Sequence, residues 1–263
     1  MTDDELACQI RVKCIEMISR SKGSHIGGCL SIVEILVTLY NGLMVHMPSN
    51  PDWIYRDRFI LSKGHCCAAL YATLALEGYF DVRLLNEYGS NGSKLMVHAS
   101  SRVPGVEFST GSLGHGLPLA VGKALAAKSL NYRWNTYVLM SDGELNEGSN
   151  WEAIQFAAHH KLNNLVAIVD VNGLQSLGYT KDVLDIMPLL DKFLSFGWHC
   201  CEVDGHNVDD LHKAMNQDTG KPLCILAKTV KGKGVSFMED KLEWHYKSPD
   251  EVETIRALEE LTK

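Results

Sequence analysis

The sequence predicts an α/β protein, a doubly wound parallel sheet with helices on both faces, and three observations carry that expectation. Apolar runs of strand character alternate with helical segments from residue 136 onward, the order that builds a parallel sheet. Two of those runs, Tyr137 to Met140 and Leu165 to Val169, lead into polar, glycine-containing turns that carry Asp142 and Asn172, thirty residues apart. One strand–helix–strand crossover is about that long, so both side chains are expected at the same carboxyl edge of the sheet. No linker divides the chain, and residues 1–263 are expected to form one domain.

Taken in order, residues 3–22 carry apolar positions at Leu6, Ile10, Cys14, Met17 and Ile18, the stripe of an amphipathic helix. Gly23-Ser24-His25-Ile26-Gly27-Gly28 reads as a loop. Ser31, with Glu34 three residues on, reads as the N-cap of a helix to about Leu43. Residues 58–61 are a short strand and 64–77 a helix. Residues 88–113, rich in Gly and Ser, are too long for an ordinary connection and are either functional or mobile. The helix at 114–127 is built from Ala, Gly and Leu, which suits close packing on another backbone or, equally, a contact between two copies. Strands at 136–140, 165–170, 197–203 and 222–228 then alternate with helices at 147–160, 188–195 and 207–216. A basic glycine loop, Lys231-Gly232-Lys233-Gly234, and the pair Trp244-His245 precede a last helix at 249–261.

Composition narrows the class. A hydrophobic fraction of 46% with 22% charged residues suits a globular chain long enough to bury a substantial core. The net charge of −7, with both signs interspersed, argues against nucleic acid or an anionic membrane as partner. The N-terminus is acidic and unlike a signal peptide, and no run is read as a membrane span. Eight cysteines include no C-x-x-C, so they are expected to be buried free thiols in a reducing cytoplasm.

The candidate chemistry gathers at the expected sheet edge. Alone, Ser141-Asp142-Gly143-Glu144 would be an ordinary turn. With Asn172 at crossover distance, a carboxylate, an amide oxygen and the Leu174 carbonyl make a hard-oxygen set for Mg²⁺ that leaves room for diphosphate oxygens. Gly143, lacking Cβ, lets a backbone N–H approach a phosphate closely. His25, His65 and His98 sit in loops containing glycine or serine, and His245 follows a tryptophan. Imidazoles so placed can donate to phosphate and exchange protons near neutral pH. His159, His160, His199 and His212 lack such a context and are read as structural.

These residues resemble the N-terminal, diphosphate-binding half of transketolase, over almost the whole chain. Ser62-Lys63-Gly64-His65 is similar to the S-x-G-H element, whose histidine contacts the diphosphate of thiamine diphosphate. Thr110-Gly111-Ser112-Leu113-Gly114-His115-Gly116 resembles the T-G-[PS]-L-G-Q-G loop, which implies that Gly111, Ser112 and Leu113 lie on the aminopyrimidine and thiazolium. Asp142-Gly143-Glu144 through Glu147-Gly148 resembles G-D-G-E-x-x-E-G, with Asn172 and Leu174 completing the family's Mg²⁺ set. The resemblance implies that Glu147 and Glu152 lie at a subunit interface, that His25 faces substrate, and that His245 serves substrate and diphosphate together. His98 matches the histidine of the family's G-H-P element.

Departures fall mainly on the substrate side: Ser24 stands where the family has Gly, Val97 and Ala99 flank His98, His115 replaces Gln, and Tyr246 replaces Gly. The glutamate and aromatic ring that meet the aminopyrimidine belong to the family's other half. The resemblance therefore implies one subunit of a split transketolase, cytoplasmic, assembled with a pyrimidine-binding subunit into a heterotetramer. It would transfer a two-carbon ketol unit from a ketose, phosphorylated or not, to an aldose. The alternatives are a subunit of another two-component thiamine diphosphate enzyme, either decarboxylating a 2-oxo acid or making a sugar phosphate, and a non-catalytic paralogue.

Overall fold

Successive strand side chains point to opposite faces, so strands that are apolar throughout must be covered on both sides. The computed structural model, which describes residues 1–262, has that arrangement. Five parallel strands, β1 (Arg58–Leu61), β2 (Thr136–Ser141), β3 (Leu165–Val171), β4 (His199–Asp204) and β5 (Leu223–Lys228), lie in the order β1-β2-β3-β5-β4. Tyr137, Leu139, Val166, Ile168 and Ile225 face one apolar layer. Val138, Met140, Ala167, Val169 and Leu226 face the other.

The first layer is closed by helices α1 (Asp3–Ser21), α2 (Ile26–Leu30), α3 (Val33–Thr38) and α4 (Cys67–Leu76), with contributions from the later α9 (Val208–Met215) and α10 (Glu251–Leu261). The second is closed by α5 (Gly116–Ser129), α6 (Gly148–His159) and α8 (Leu189–Ser195), with the short α7 (Thr180–Val183) preceding α8. Local chemistry explains the ends. Thr2 and Glu5 form a reciprocal capping box on α1, and Asp250 and Glu253 do the same on α10. In α5 the small residues Ala120 and Ala124 are buried against the second layer, so close packing accounts for that part of its composition.

Three expectations change. The stretch read as a loop at 23–28 enters α2 at Ile26, and Ser31 ends that helix instead of capping the next. Its hydroxyl is drawn to the buried Asp170 carboxylate, donating to Oδ2 at 2.8 Å. Residues 39–43 are a π-helical turn that continues α3. Finally, Ile26–Leu43 does have the length and apolar composition of a membrane span, but 78% of it is buried within the fold.

The segment 88–113 has no regular helix or strand. It is tied to the S-K-G-H turn by contact: the Ala99 N–H donates to the Gly64 carbonyl at 3.0 Å. A Cβ on Gly64 would overlap the Thr110 carbonyl, and one on Gly116 would overlap Ser62. Glycine is required at Gly64 by this approach of two backbones. Gly64→Ala should therefore destabilise the chain by about 1–3 kcal/mol, the usual cost of overpacking, read as a lower urea midpoint.

Candidate active site

The carboxyl ends of β1, β2, β3 and β5 open onto one cavity, and the turns that leave those strands supply its polar wall. β2 delivers Asp142, whose two carboxylate oxygens each accept a backbone N–H at 2.7 Å, from Gly143 and from Gly173. β3 delivers Asn172. Its amide nitrogen donates to Asp170 Oδ2 at 2.8 Å, leaving Oδ1 to accept the Leu174 N–H at 3.1 Å. The Leu174 carbonyl accepts from Lys231 Nζ at 3.1 Å. Asp142, Asn172 and Leu174 thus meet at one edge, as their spacing predicts.

Burial first, and then the neighbouring Asp170 charge, push the Asp142 carboxyl up to about 6. Burial, helped by the nearby Lys63 ammonium, pulls Lys231 down to about 8. Lys63 itself is buried and ion-paired with Asp170. Burial is the largest single influence and favours its neutral form, but the Asp170 charge and hydrogen bond, together with the nearby Cys66 and Asp142, outweigh it and hold Lys63 above the usual lysine range.

The four expected histidines converge on the same cavity. The His25 and His65 rings lie 4.9 Å apart, as do those of His25 and His245, and His98 is 6.1 Å from His25. His25 has a left-handed backbone (φ 71°), and its N–H donates to the His245 carbonyl at 2.8 Å. Burial, then the adjacent His65, lowers His25 to about 4. Burial, then Lys231, lowers His245 to about 3. Both rings are therefore neutral at neutral pH. Lys231 Nζ lies 3.0 Å from His245 Nδ1; an ammonium can only donate, so Nδ1 accepts and Nε2 carries the hydrogen.

Gly111, Leu113 and Gly143 also line the cavity. Ser112 does not. It borders an adjoining cavity with Ser100, Ser109 and His115, to which His98 also belongs. Glu147 and Glu152 lie outside both cavities and are exposed.

Sequence reasoning left several residues without a role. Lys63, Lys231 and Gln175 line the cavity, and Tyr246, named only as a departure, stands at its rim with its ring 4.6 Å from that of His245. Glu144 is fully buried beneath it. Its carboxylate accepts the Gly114 N–H at 2.9 Å, the Ser141 N–H at 3.3 Å and the Ser62 hydroxyl, joining three motifs. The signal for the lysines was present in S-K-G-H and in the basic glycine loop. What was missing was the fold that buries both at one edge.

The residues fit a bound diphosphate with a divalent ion. Among the described residues, Lys231 has no carboxylate within ion-pair distance, and the buried His25 Nδ1 and Gln175 Nε2 have no hydrogen-bond partner. A Cβ on Gly143 would approach Gln175 Cγ at 2.7 Å, and one on Gly111 would approach His98 Cδ2 at 2.6 Å, so both backbones lie open only as glycine. Among the described residues no group of three or more His, Cys, Asp or Glu could hold a metal alone. An ion held by one carboxylate, one amide and one carbonyl must complete its shell with ligand or water oxygens, which is the habit of Mg²⁺.

A parallel sheet presenting such a polar edge defines a cofactor-binding α/β protein. The family described as transketolase, thiamine diphosphate binding domain, matches residues 2–260, and the chain belongs to that family. It is 44% identical to the 6-deoxy-6-sulfo-D-fructose transketolase subunit SqwG of Clostridium sp. (strain MSTE9), covering 97% of this chain and 94% of the relative. It is likewise 44% identical to an apulose-4-phosphate transketolase subunit of Actinobacillus succinogenes, covering 98% and 96%. Among solved structures, the transketolase of Campylobacter jejuni matches with a TM-score of 0.94 at 32% identity, over 99% of this chain and 43% of that one. The chain thus spans nearly the full length of the subunit relatives and less than half of that longer enzyme.

The depressed histidines set a pH dependence. A group with a lowered folded pKa stabilises fully above its unfolded value and loses that contribution as pH falls through the folded one. With His25 at about 4 and His245 at about 3, against an ordinary 6.5, stability should fall as pH drops from about 6.5 toward 4 and below. Urea melts across that range check this, and His25→Gln should flatten part of the slope.

Proposed function

We propose that this chain is the diphosphate- and Mg²⁺-binding subunit of a two-component transketolase, which moves a two-carbon ketol unit from a ketose to an aldose. The observation that carries the reading is one cavity joining an oxygen set (Asp142, Asn172, Leu174), a carboxylate-free lysine (Lys231) and four imidazoles. The near-full-length match to relatives named as transketolase subunits supports a partner carrying the pyrimidine-binding half, in a heterotetramer. Those relatives are named for a sulfonated and a phosphorylated ketose, which supports an anionic ketose here as well. Among the described residues every cysteine is free, which suits a reducing cytoplasm.

Bound thiamine diphosphate would supply the nucleophilic carbon and the electron sink that cleavage of a carbon–carbon bond beside a carbonyl requires. The chain supplies the rest. Asp142 Oδ, Asn172 Oδ1 and the Leu174 carbonyl would hold Mg²⁺, while His65 and Lys231 would meet the diphosphate against the open Gly143 backbone. Gly111 and Leu113 would border the remaining cofactor rings, Ser112 would reach them only from the adjoining cavity, and Glu147, with Glu152, would form a subunit contact. Near neutral pH a His25 held neutral by burial accepts a hydroxyl proton at its partnerless Nδ1. His245 Nε2–H donates to a developing oxyanion, and the exposed His98 completes the proton path at the mouth. Acid–base groups of this kind contribute about 10²–10⁴-fold each.

The chain alone should lack ketol-transferase activity, and adding the partner subunit should restore it. Turnover of ketose by the single chain, or none from the reconstituted pair on any anionic ketose, would refute the assignment.

Variants of the reconstituted enzyme should then separate by role. Asp142→Ala removes the one carboxylate assigned to the ion and should abolish Mg²⁺-dependent cofactor binding in calorimetry. His65→Ala should raise the cofactor concentration for half-activity while leaving turnover at saturation comparatively high. His25→Ala should keep cofactor affinity and lose about 10²–10⁴-fold in kcat/KM. The reverse pattern for the two histidines would overturn their roles.

A further inference from the structure

Lys231 reaches the cavity from an irregular segment, yet its ammonium is held within hydrogen-bond distance of both Leu174 and His245. A long side chain on a free loop would lose that geometry to rotamer and backbone freedom. The restraint comes from three residues that do not line the cavity: Arg11 on α1, Glu34 on α3 and His206 in the turn after β4. Arg11 donates from one terminal nitrogen to both Glu34 oxygens, at 2.7 and 2.9 Å. Its Nε donates to the Lys233 carbonyl at 3.0 Å. His206 Nδ1 lies 2.9 Å from Glu34 Oε2, and its Nε2 lies 2.8 Å from the Val230 nitrogen.

The hydrogen positions follow. The Val230 N–H can only donate, so His206 Nε2 accepts, and the ring's own hydrogen sits on Nδ1, pointing at the Glu34 carboxylate. Glu34 thus selects the tautomer that grips Val230, and anchors the guanidinium that grips Lys233. Side-chain exposure is 8% for Arg11, 12% for Glu34 and 13% for His206, so water competes weakly for these bonds. Contact reinforces the hold. A Cβ on Gly234 would approach the Arg11 side chain at 3.0 Å, and Gly232 N–H donates to the Gly27 carbonyl at 2.9 Å. Val230 and Lys233, the two residues gripped, flank Lys231.

We propose that Arg11, Glu34 and His206 are positioning residues that clamp residues 230–233 on both sides of Lys231 and so hold its ammonium at the diphosphate end of the cavity. The identity of what Lys231 meets rests on the cofactor reading above; the clamp itself does not.

The test uses His206→Ala, which deletes the acceptor, and His206→Gln, which can return a carbonyl oxygen to the Val230 N–H. Amide hydrogen exchange on the chain without cofactor should show faster exchange in the peptide spanning 229–234 for His206→Ala, with the sheet strands unchanged. His206→Gln should recover part of the protection. In the reconstituted enzyme, calorimetry with thiamine diphosphate and Mg²⁺ should show affinity reduced roughly tenfold or more for His206→Ala, the scale at which outer hydrogen-bond partners act on bound groups. Turnover at saturating cofactor should stay close to the parent value. Unchanged exchange at 229–234 would overturn the clamp. Faster exchange with unchanged cofactor affinity would overturn its role in placing Lys231. Loss of protection across the whole sheet in both variants would make His206 a general stability element and also overturn it. If the parent enzyme bound no thiamine diphosphate, the cofactor reading would fail while the exchange measurement still decided the clamp.

Discussion

The buried contact of Lys63 with Asp170 is the constraint on which the rest of the site depends. Asp170 ends the apolar run of β3 and is fully buried. A carboxylate there is tolerable only if it is paired and saturated with donors. It draws them from four places: Lys63 after β1, Ser31 at the end of α2, Asn172 in its own turn and Thr229 after β5. Each of those four segments also contributes to the cavity wall. Removing one partner of such a pair typically costs about 3–5 kcal/mol, so the network makes the site's geometry part of the fold's stability.

The same network explains the electrostatics. Asp170 is occupied by Lys63, and Asp142 by two backbone N–H groups, so Lys231 is left facing a carbonyl and an imidazole with no anion of its own. Two lysines at one edge, only one of them neutralised, give a wall that favours an anionic ligand. Burial among other rings and ammonium groups keeps His25 and His245 neutral beside that wall.

Backbone approach sets how closely the motifs can meet. Gly64 lies against Thr110, Gly116 against Ser62 and Gly114 against Glu147, and in each case a Cβ would occupy the neighbour's space. Glu144 ties the same motifs together by hydrogen bonds from beneath. The loop 88–113 is ordered by these contacts without any helix or strand of its own.

The strands, the main helices and the meeting of Asp142, Asn172 and Leu174 were legible in the sequence, because periodicity and crossover length are local quantities. So were the four histidines, as members of motifs. The break of the first glycine segment into α2 was not. Ser31 carried a good N-cap pattern, but a carboxylate from β3, 139 residues away, claimed its hydroxyl. Lys63, Lys231, Glu144 and His206 likewise have partners distant in sequence, and a charged residue is read as exposed until the fold shows what it is buried against. Residue identity determined which chemistry was possible. Only the tertiary structure decided which of those charges were paired and which were left free to meet a ligand, because pairing depends on distances that no sequence interval contains.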